Sequence, residues 1–349
     1  MTNHPIPTEM LCKQAYDAIE KYGSGAEAAR RLSVSPRTIT ERARKYKERW
    51  LGKTGGGDSA PVLPEFPEDD IPVEEIIESM CKRYEKRSAH VAAKKWFPVQ
   101  IKSDIPIGVG FVGDPHVDDD GCNWPLLKQH IEIFKNTGGL YGVNIGDTTN
   151  NWVGRLMKKF ADQETSQSTA RKLAKWFLHD SGIEWLVWLL GNHDVWNDGA
   201  AVLTGMNTKR IPMEDWEAKF RLVFPNNREC RIWASHNFSG NSIWNSLHGP
   251  QRTAHTKAEA NIYVCGHLHN WALHHEESAT RDFTYWLARA RGYKFIDEYA
   301  TKLGHGSQDE GATIVSVIDP KATSEAGFVT CFADMEEGAD FLTWKRSKA

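Results

Sequence analysis

The sequence predicts a layered α/β domain with a central two-sheet core flanked by helices, carrying a small all-α domain at its N-terminal end. Three observations lead there. Apolar runs of strand length alternate with helix-period segments between residues 105 and 190. Strand-rich sequence follows to about residue 318. Residues 1–50 show helical periodicity without a strand pattern.

Residues 8–22 carry Leu11, Ala15, Ala18, Ile19 and Tyr22 on one helical face, and Gly23-Ser24-Gly25 ends that helix. Ala26–Leu32 reads as a second, short helix. Ser35 is a good N-cap and Pro36 a good first residue for a third helix running to about Trp50. Three short helices with a tight turn before a basic third one form the helix-turn-helix pattern, which defines a domain over 1–50. Its segment Ala26–Ala43 resembles helix-turn-helix modules of bacterial and phage proteins. Residues 51–72 are a linker, with Gly55-Gly56-Gly57 followed by Pro61, Pro64, Pro67 and Pro72 among acidic residues. Residues 73–104 read as a basic helical connector.

The main domain is expected over 105–320. Ile105–Gly113 is an apolar run suited to a buried strand. Helix patterns at Trp124–Lys135 and Ser166–His179 alternate with strands at Leu140–Ile145 and Trp185–Leu190. Further strands are expected at Cys230–Ala234, Ser242–Leu247, Asn261–Cys265, Phe283–Ala288 and Ala312–Ile318. Residues 321–349 are polar and mixed, and read as a loosely attached tail.

Composition narrows the function classes. Hydrophobic residues are 40% and no apolar run approaches membrane-spanning length, so no membrane partner is expected. Six scattered cysteines form no C-x-x-C pair, and no secretory signal is seen. Together these point to a cytoplasmic protein, of a bacterial or phage-infected host cell. Residues 1–50 carry ten Lys/Arg against six Asp/Glu, a net +4 that leaves −7 for the rest. A basic head on an acidic body would make first contact with nucleic acid through the head.

Five short motifs occur in order, each after an expected strand: Asp114-Pro115-His116, Gly146-Asp147, Gly191-Asn192-His193-Asp194, His248-Gly249 and Gly266-His267-Leu268-His269. Asp114 and His116 lie two apart on extended chain and so point the same way. A carboxylate with an imidazole suits Mn, Fe, Zn or Ni better than Mg or Ca. Asp147 can bridge two ions about 3.5–4 Å apart. One further histidine is sought between the third motif and Gly266, with His236, His248 and His255 as candidates.

In this order the motifs resemble the calcineurin-like metallophosphoesterase superfamily, over approximately residues 105–320. The resemblance implies two divalent ions, Mn first with Fe, Zn or Ni as alternatives. One ion would take Asp114, His116, Asp147 and His269. The other would take Asp147, Asn192, His248 and His267, with His248 preferred because it precedes Gly249-Pro250. His193 would stand beside the scissile phosphate and assist the leaving oxygen. Family phosphatases acting on phosphoproteins carry Gly-Asp-x-x-Asp-Arg-Gly, whereas here Asn150 replaces the second Asp and the Arg is absent. Asn150 would orient His193 by hydrogen bonding, and the departure shifts the chain toward the nuclease and phosphodiesterase branches.

The reading this favours is a DNA-directed nuclease. Arg37, Thr38, Thr40, Arg42 and Lys45 of the third helix would contact DNA. The alternatives are a phosphodiesterase or phosphatase on small esters with the head as a docking module, and a DNA-binding protein without catalysis. Loops 150–165 and 195–213 are expected to shape the entrance, with Trp152, Arg155, Lys158, Lys159, Trp196, Lys209 and Arg210.

Overall fold

A computed structural model describes residues 8–51, 70–240, 242–278, 283–296 and 310–349. The expected linker lies almost wholly outside the described residues, as does the side chain of Arg155. The chain divides into two compact units, residues 1–76 and 77–349.

The first unit holds α1 (Thr8–Tyr22), α2 (Gly25–Leu32) and α3 (Pro36–Arg49). Ser24 caps α2 by accepting from the Glu27 N–H at 3.2 Å. Ser33, at φ 54°, turns the chain out of α2. Ser35 caps α3 by accepting from the Thr38 N–H at 3.1 Å, with Pro36 in the first turn. Ala15, Ala18, Ala28, Ala29, Ile39 and Ala43 form the core, small side chains that let three short helices approach closely. α4 (Val73–Lys94) spans the boundary between the units and buries none of its residues.

The second unit is a mixed α/β domain built on two six-stranded sheets. Its strands are β1 (Lys95–Gln100), β2 (Ile107–Val112), β3 (Leu140–Asn144), β4 (Trp185–Leu190), β5 (Met213–Asp215), β6 (Glu217–Val223), β7 (Glu229–Ser235), β8 (Ile262–Cys265), β9 (Ala272–Glu277), β10 (Thr284–Arg289), β11 (Thr313–Ile318) and β12 (Val329–Phe332). The helices are α5 (Trp124–Asn136), α6 (Met157–Asp162), α7 (Gln167–His179), α8 (Asn192–Val195), α9 (Gly199–Met206), α10 (His248–Thr256), α11 (Glu325–Phe328) and α12 (Met335–Ser347). One sheet runs β12-β11-β2-β3-β4-β5, the other β1-β6-β7-β8-β10-β9.

β2, β3, β4 and β5 pair in parallel, joined by helical crossovers, so both faces of that sheet are covered. Every residue of β2 and of β11 is buried accordingly. Between the sheets, Val109, Phe111, Val143 and Val187 meet Phe220, Leu222, Ile232 and Val264 in one continuous core. Outside the first sheet, Phe134 of α5, Phe177 of α7 and Leu342 of α12 form a second core. Ala254 of α10 packs with Trp233, Tyr263 and Leu287 on the other sheet.

Four sequence expectations are corrected. The connector is helical only to Lys94. β1 then joins the second sheet as its edge strand, parallel to β6, so that sheet begins well before residue 105. Residues 242–247 form no strand. The segment 321–349 is no loose tail: β12 pairs antiparallel with β11, and Met335, Ala339 and Leu342 of α12 are buried. β6 is a strand the expectation omitted, although its burial alternates along Glu217–Val223.

Candidate metal centre

The site is assembled at the C-terminal ends of five strands, the end at which open α/β sheets present ligand-binding loops. Asp114 and His116 follow β2, Asp147 follows β3, and Asn192 and His193 begin α8 after β4. His236 follows β7, and His267 and His269 follow β8. The two sheets therefore contribute from opposite sides. The backbone turns sharply at these residues: Asp114, His116, Asp147, His267 and His269 all have positive φ, from 39° to 71°. Asp and His tolerate that region better than most side chains, and strain of this kind concentrates at functional sites.

Hydrogen bonds hold the loops together. The Asp114 N–H donates to Gly146 O at 2.9 Å, and the His116 N–H to Asp147 O at 3.1 Å. The His267 N–H donates to Asp114 Oδ2 at 2.8 Å and the His193 N–H to Asp147 Oδ1 at 2.9 Å. Glycine is required at two of the approaches. A Cβ on Gly191 would lie 2.1 Å from Asp147 Oδ1, and one on Gly266 would lie 2.2 Å from Asp114 Oδ2.

Three overlapping groups place donor atoms within 4.8 Å of one another: Asp114, His116 and His269; Asp147, His236 and His267; and His116, Asp147 and His193. Asn192 Oδ1 lies 3.0 Å from His236 Nε2 and joins the second group. Asp147 Oδ2 sits between the groups, 3.3 Å from His236 Nε2 and 4.0 Å from His116 Nε2. The donor set fits divalent ions. Asp114 Oδ1 and both ring nitrogens of His116 are buried without a hydrogen-bond partner among the described residues. Orphaned polar atoms of this kind are expensive unless a cation takes them.

Asp114, His116, Asp147, Asn192, His267 and His269 are thus brought together. His248 is not. It is the first residue of α10 and exposed, while His236 is fully buried between Asp147, Asn192 and His267. His236 Nδ1 bonds Ile145 O at 2.9 Å, which turns Nε2 toward the donor group. Two signals in the sequence favoured it: Ile232–Ser235 is an apolar strand ending directly on His236, whereas Pro250 two residues after His248 marks a helix start.

His193 stands beside both groups, with Nε2 4.0 Å from Asp147 Oδ2. Its Nδ1 meets the backbone carbonyl of Asn150, so the expected role of the Asn150 side chain is corrected: the main chain orients the ring. The Asn150 amide instead donates to Asp119 Oδ2 at 2.6 Å, and Lys294 Nζ meets the same oxygen at 2.8 Å. Trp152 and Trp196 flank the His193 ring at centroid distances of 5.2 and 4.2 Å. Trp216 stands 5.2 Å from His236 on the other side. A cavity of about 320 Å³ has Trp152, Met157, Ala174 and Leu203 among its walls.

Electrostatics divide the acids and bases. Burial pushes the Asp114 carboxyl up to about 7. Burial would raise Asp147 too, but the charge and hydrogen bond of His236, with His193 and His116, hold it below the ordinary carboxylate range. Burial alone would depress His236, yet Asp147 and then Asp114 lift it to about 9. His267 is held down to about 4 by burial and by the charge on His236. His116 and His193 are lowered chiefly by burial. Asp147 with a protonated His236 is therefore the principal ion pair, and a divalent ion would take the place of that proton.

The five head residues named from the sequence all lie on α3. Arg37, Thr40 and Lys45 are exposed, and Thr38 and Arg42 half-buried. The Thr38 hydroxyl is engaged with Ser35 Oγ at 2.7 Å, and the Thr40 hydroxyl donates to Pro36 O at 2.9 Å. The basic side chains are thus better placed than the hydroxyls to meet a ligand.

No protein-family model matches the chain, and no curated protein matches it. Among solved structures it is similar to the NAD nucleotidase of Haemophilus influenzae at 9% identity and a TM-score of 0.36. That match covers 65% of this chain and 49% of the other, so the chain spans about half the nucleotidase's length. It is also similar to vacuolar protein sorting 29 of Cryptosporidium parvum at 12% identity and TM-score 0.34, covering 66% and 100%. A third likeness is to GAP50, the anchor in the inner membrane complex of Plasmodium, at 10% identity and TM-score 0.35, covering 69% and 95%.

Proposed function

We propose that this protein is a phosphoester hydrolase that works with two divalent metal ions. The observation that carries the reading is the convergence of two Asp/His donor groups on Asp147, with His193 beside them, at the ends of strands from both sheets. Asp114, His116, Asp147 and His269 would hold one ion, and Asp147, Asn192, His236 and His267 the other. Bound divalent ions supply Lewis acidity to a phosphoryl oxygen and lower the pKa of water toward neutrality. The protein's own part is positional. Asp147 and the main-chain bonds fix the donor loops. His193, aimed by the Asn150 carbonyl, offers Nε2 to the departing oxygen. Trp152 and Trp196 keep water from its flanks.

DNA is the substrate this reading favours. Its support is the basic third helix of the first unit, with Arg37, Arg42 and Lys45, and the net charge of +4 over residues 1–50. The test is a Mn²⁺ activity panel at fixed salt. It compares a chromogenic monoester, a chromogenic diester, and end-labelled single- and double-stranded DNA, using the intact chain, His193→Ala and Arg37→Ala/Lys45→Ala. Hydrolysis should fall at least roughly hundredfold in His193→Ala on substrates with poor leaving groups. DNA cleavage alone should weaken in the double variant, with a shallower salt dependence. Diester turnover with inert DNA would assign a small-ester phosphodiesterase instead. No turnover by metal-loaded protein on any of the four would refute the hydrolase reading.

A further inference from the structure

α4 is 22 residues long, so it runs about 33 Å. It buries no residue, yet it is not polar all round. Val73, Ile76, Ile77, Met80, Tyr84 and Val91 are each between 46% and 75% exposed. Val73, Ile77, Met80, Tyr84 and Val91 follow alternating steps of four and three, broken only at Arg87, which is the spacing of a coiled-coil seam. A helix with such a stripe, left exposed among the described residues, presents an interaction face.

The charges say what fits. Glu74, Glu75 and Glu78 lie toward the N-terminal end, and Lys82, Arg83, Lys86, Arg87 and Lys94 run from the middle to the C-terminal end, where Glu85 is the exception. Within the helix Lys82 pairs with Glu78 at 2.7 Å, both side chains largely exposed. A second copy laid parallel would set acid against acid and base against base. Laid antiparallel, each acidic end faces a basic end.

We propose that α4 pairs with α4 of a second copy of this chain as a short antiparallel coiled coil. With Met80 of one copy opposite Tyr84 of the other, Val73 meets Val91 and Ile77 meets the aliphatic stem of Arg87. That register brings the two Cys81 residues to the same flank of the seam near its centre, as antiparallel geometry requires. Cys81 is exposed, whereas Cys12, Cys122, Cys230, Cys265 and Cys331 are buried.

The test uses the full chain. Size-exclusion chromatography with light scattering over a concentration series should approach twice the chain mass of 39.5 kDa. Ile77→Glu/Met80→Glu should return the single-chain mass with an unchanged circular dichroism spectrum, because neither residue touches a core. Mild oxidation should link the chain through Cys81 and leave Cys81→Ser unlinked. In the Cys81→Ser background, Glu74→Cys protein should crosslink to Ser88→Cys protein and not to itself. A chain that stays monomeric throughout, or a dimer that survives the double substitution, overturns the proposal. Self-crosslinking of Glu74→Cys would show parallel pairing and overturn it equally.

Discussion

Replacing His236 by Ala should empty half of the metal centre, while replacing His248 should do nothing to it. The contrast follows from burial and bonding. His236 is fully buried, donates from Nδ1 to Ile145 O at 2.9 Å, and points Nε2 at Asp147, Asn192 and His267 within 3.3 Å. Its removal leaves the Ile145 carbonyl without a partner and Asp147 without its main counter-charge. A buried orphaned group costs about 1–3 kcal/mol, so the metal-free variant should lose roughly 2–5 kcal/mol in all. Removing a mere outer partner of a metal ligand lowers affinity by about 10–100-fold, so losing the ligand itself should exceed roughly 100-fold at one of two sites. An exposed His248→Ala change should stay within about 0.5 kcal/mol. The assay is calorimetric titration of EDTA-stripped protein with Mn²⁺, with metal content measured after dialysis and melting curves taken with and without EDTA. Two ions retained at wild-type affinity in His236→Ala, or metal lost in His248→Ala, would refute the assignment.

Two further outcomes follow from the same geometry. Gly191→Ala and Gly266→Ala should each push a carboxylate out of place, because the new Cβ would lie 2.1 Å from Asp147 Oδ1 or 2.2 Å from Asp114 Oδ2. Overpacking of this kind costs about 1–3 kcal/mol, so the variants should fold with lower melting temperatures yet bind Mn²⁺ more weakly; wild-type affinity in both would sink the close-approach argument. The pH dependence should run as follows for metal-free protein. His236 is raised from 6.5 to about 9 in the folded state, so its contribution is complete below pH 6.5 and disappears as pH rises through 9. Melting temperature in EDTA should therefore fall between pH 6.5 and 9, and Mn²⁺ affinity should climb over the same interval as the His236 proton becomes easier to displace. A His236→Ala protein that keeps the full decline would assign it to another group.

How much of this was legible in the sequence depends on the range of the interactions involved. β2, β4 and α5 came from uninterrupted local patterns, and Asp114, His116, Asp147 and the Gly266–His269 motif each followed such a strand. Capping residues Ser24 and Ser35 placed α2 and α3 for the same reason: the donors they satisfy are three residues away. His236 was harder. Its selection over His248 depends on which loop reaches across to the other sheet, a contact of 91 residues' separation to Ile145. α12 is hard to see because residues 321–349 are polar and mixed, and the place of Gly338 within it is set by close packing on Val315. The orientation of His193 by the Asn150 carbonyl leaves no mark on side-chain identity at all.

The left-handed backbone at Asp114, His116, Asp147, His267 and His269 bears on how this chain tolerates change. Each such residue holds roughly 1–2 kcal/mol that a glycine would release. At these positions a substitution that destroys metal binding can also relax the metal-free fold. Directed evolution of this protein for thermal resistance alone, run without metal, would drift toward glycine at His116, whose ring nitrogens make no hydrogen bond among the described residues, whereas Asp114 and Asp147 also accept the bonds that fix the loops. Only a screen that couples survival to metal occupancy or turnover would hold His116 in place.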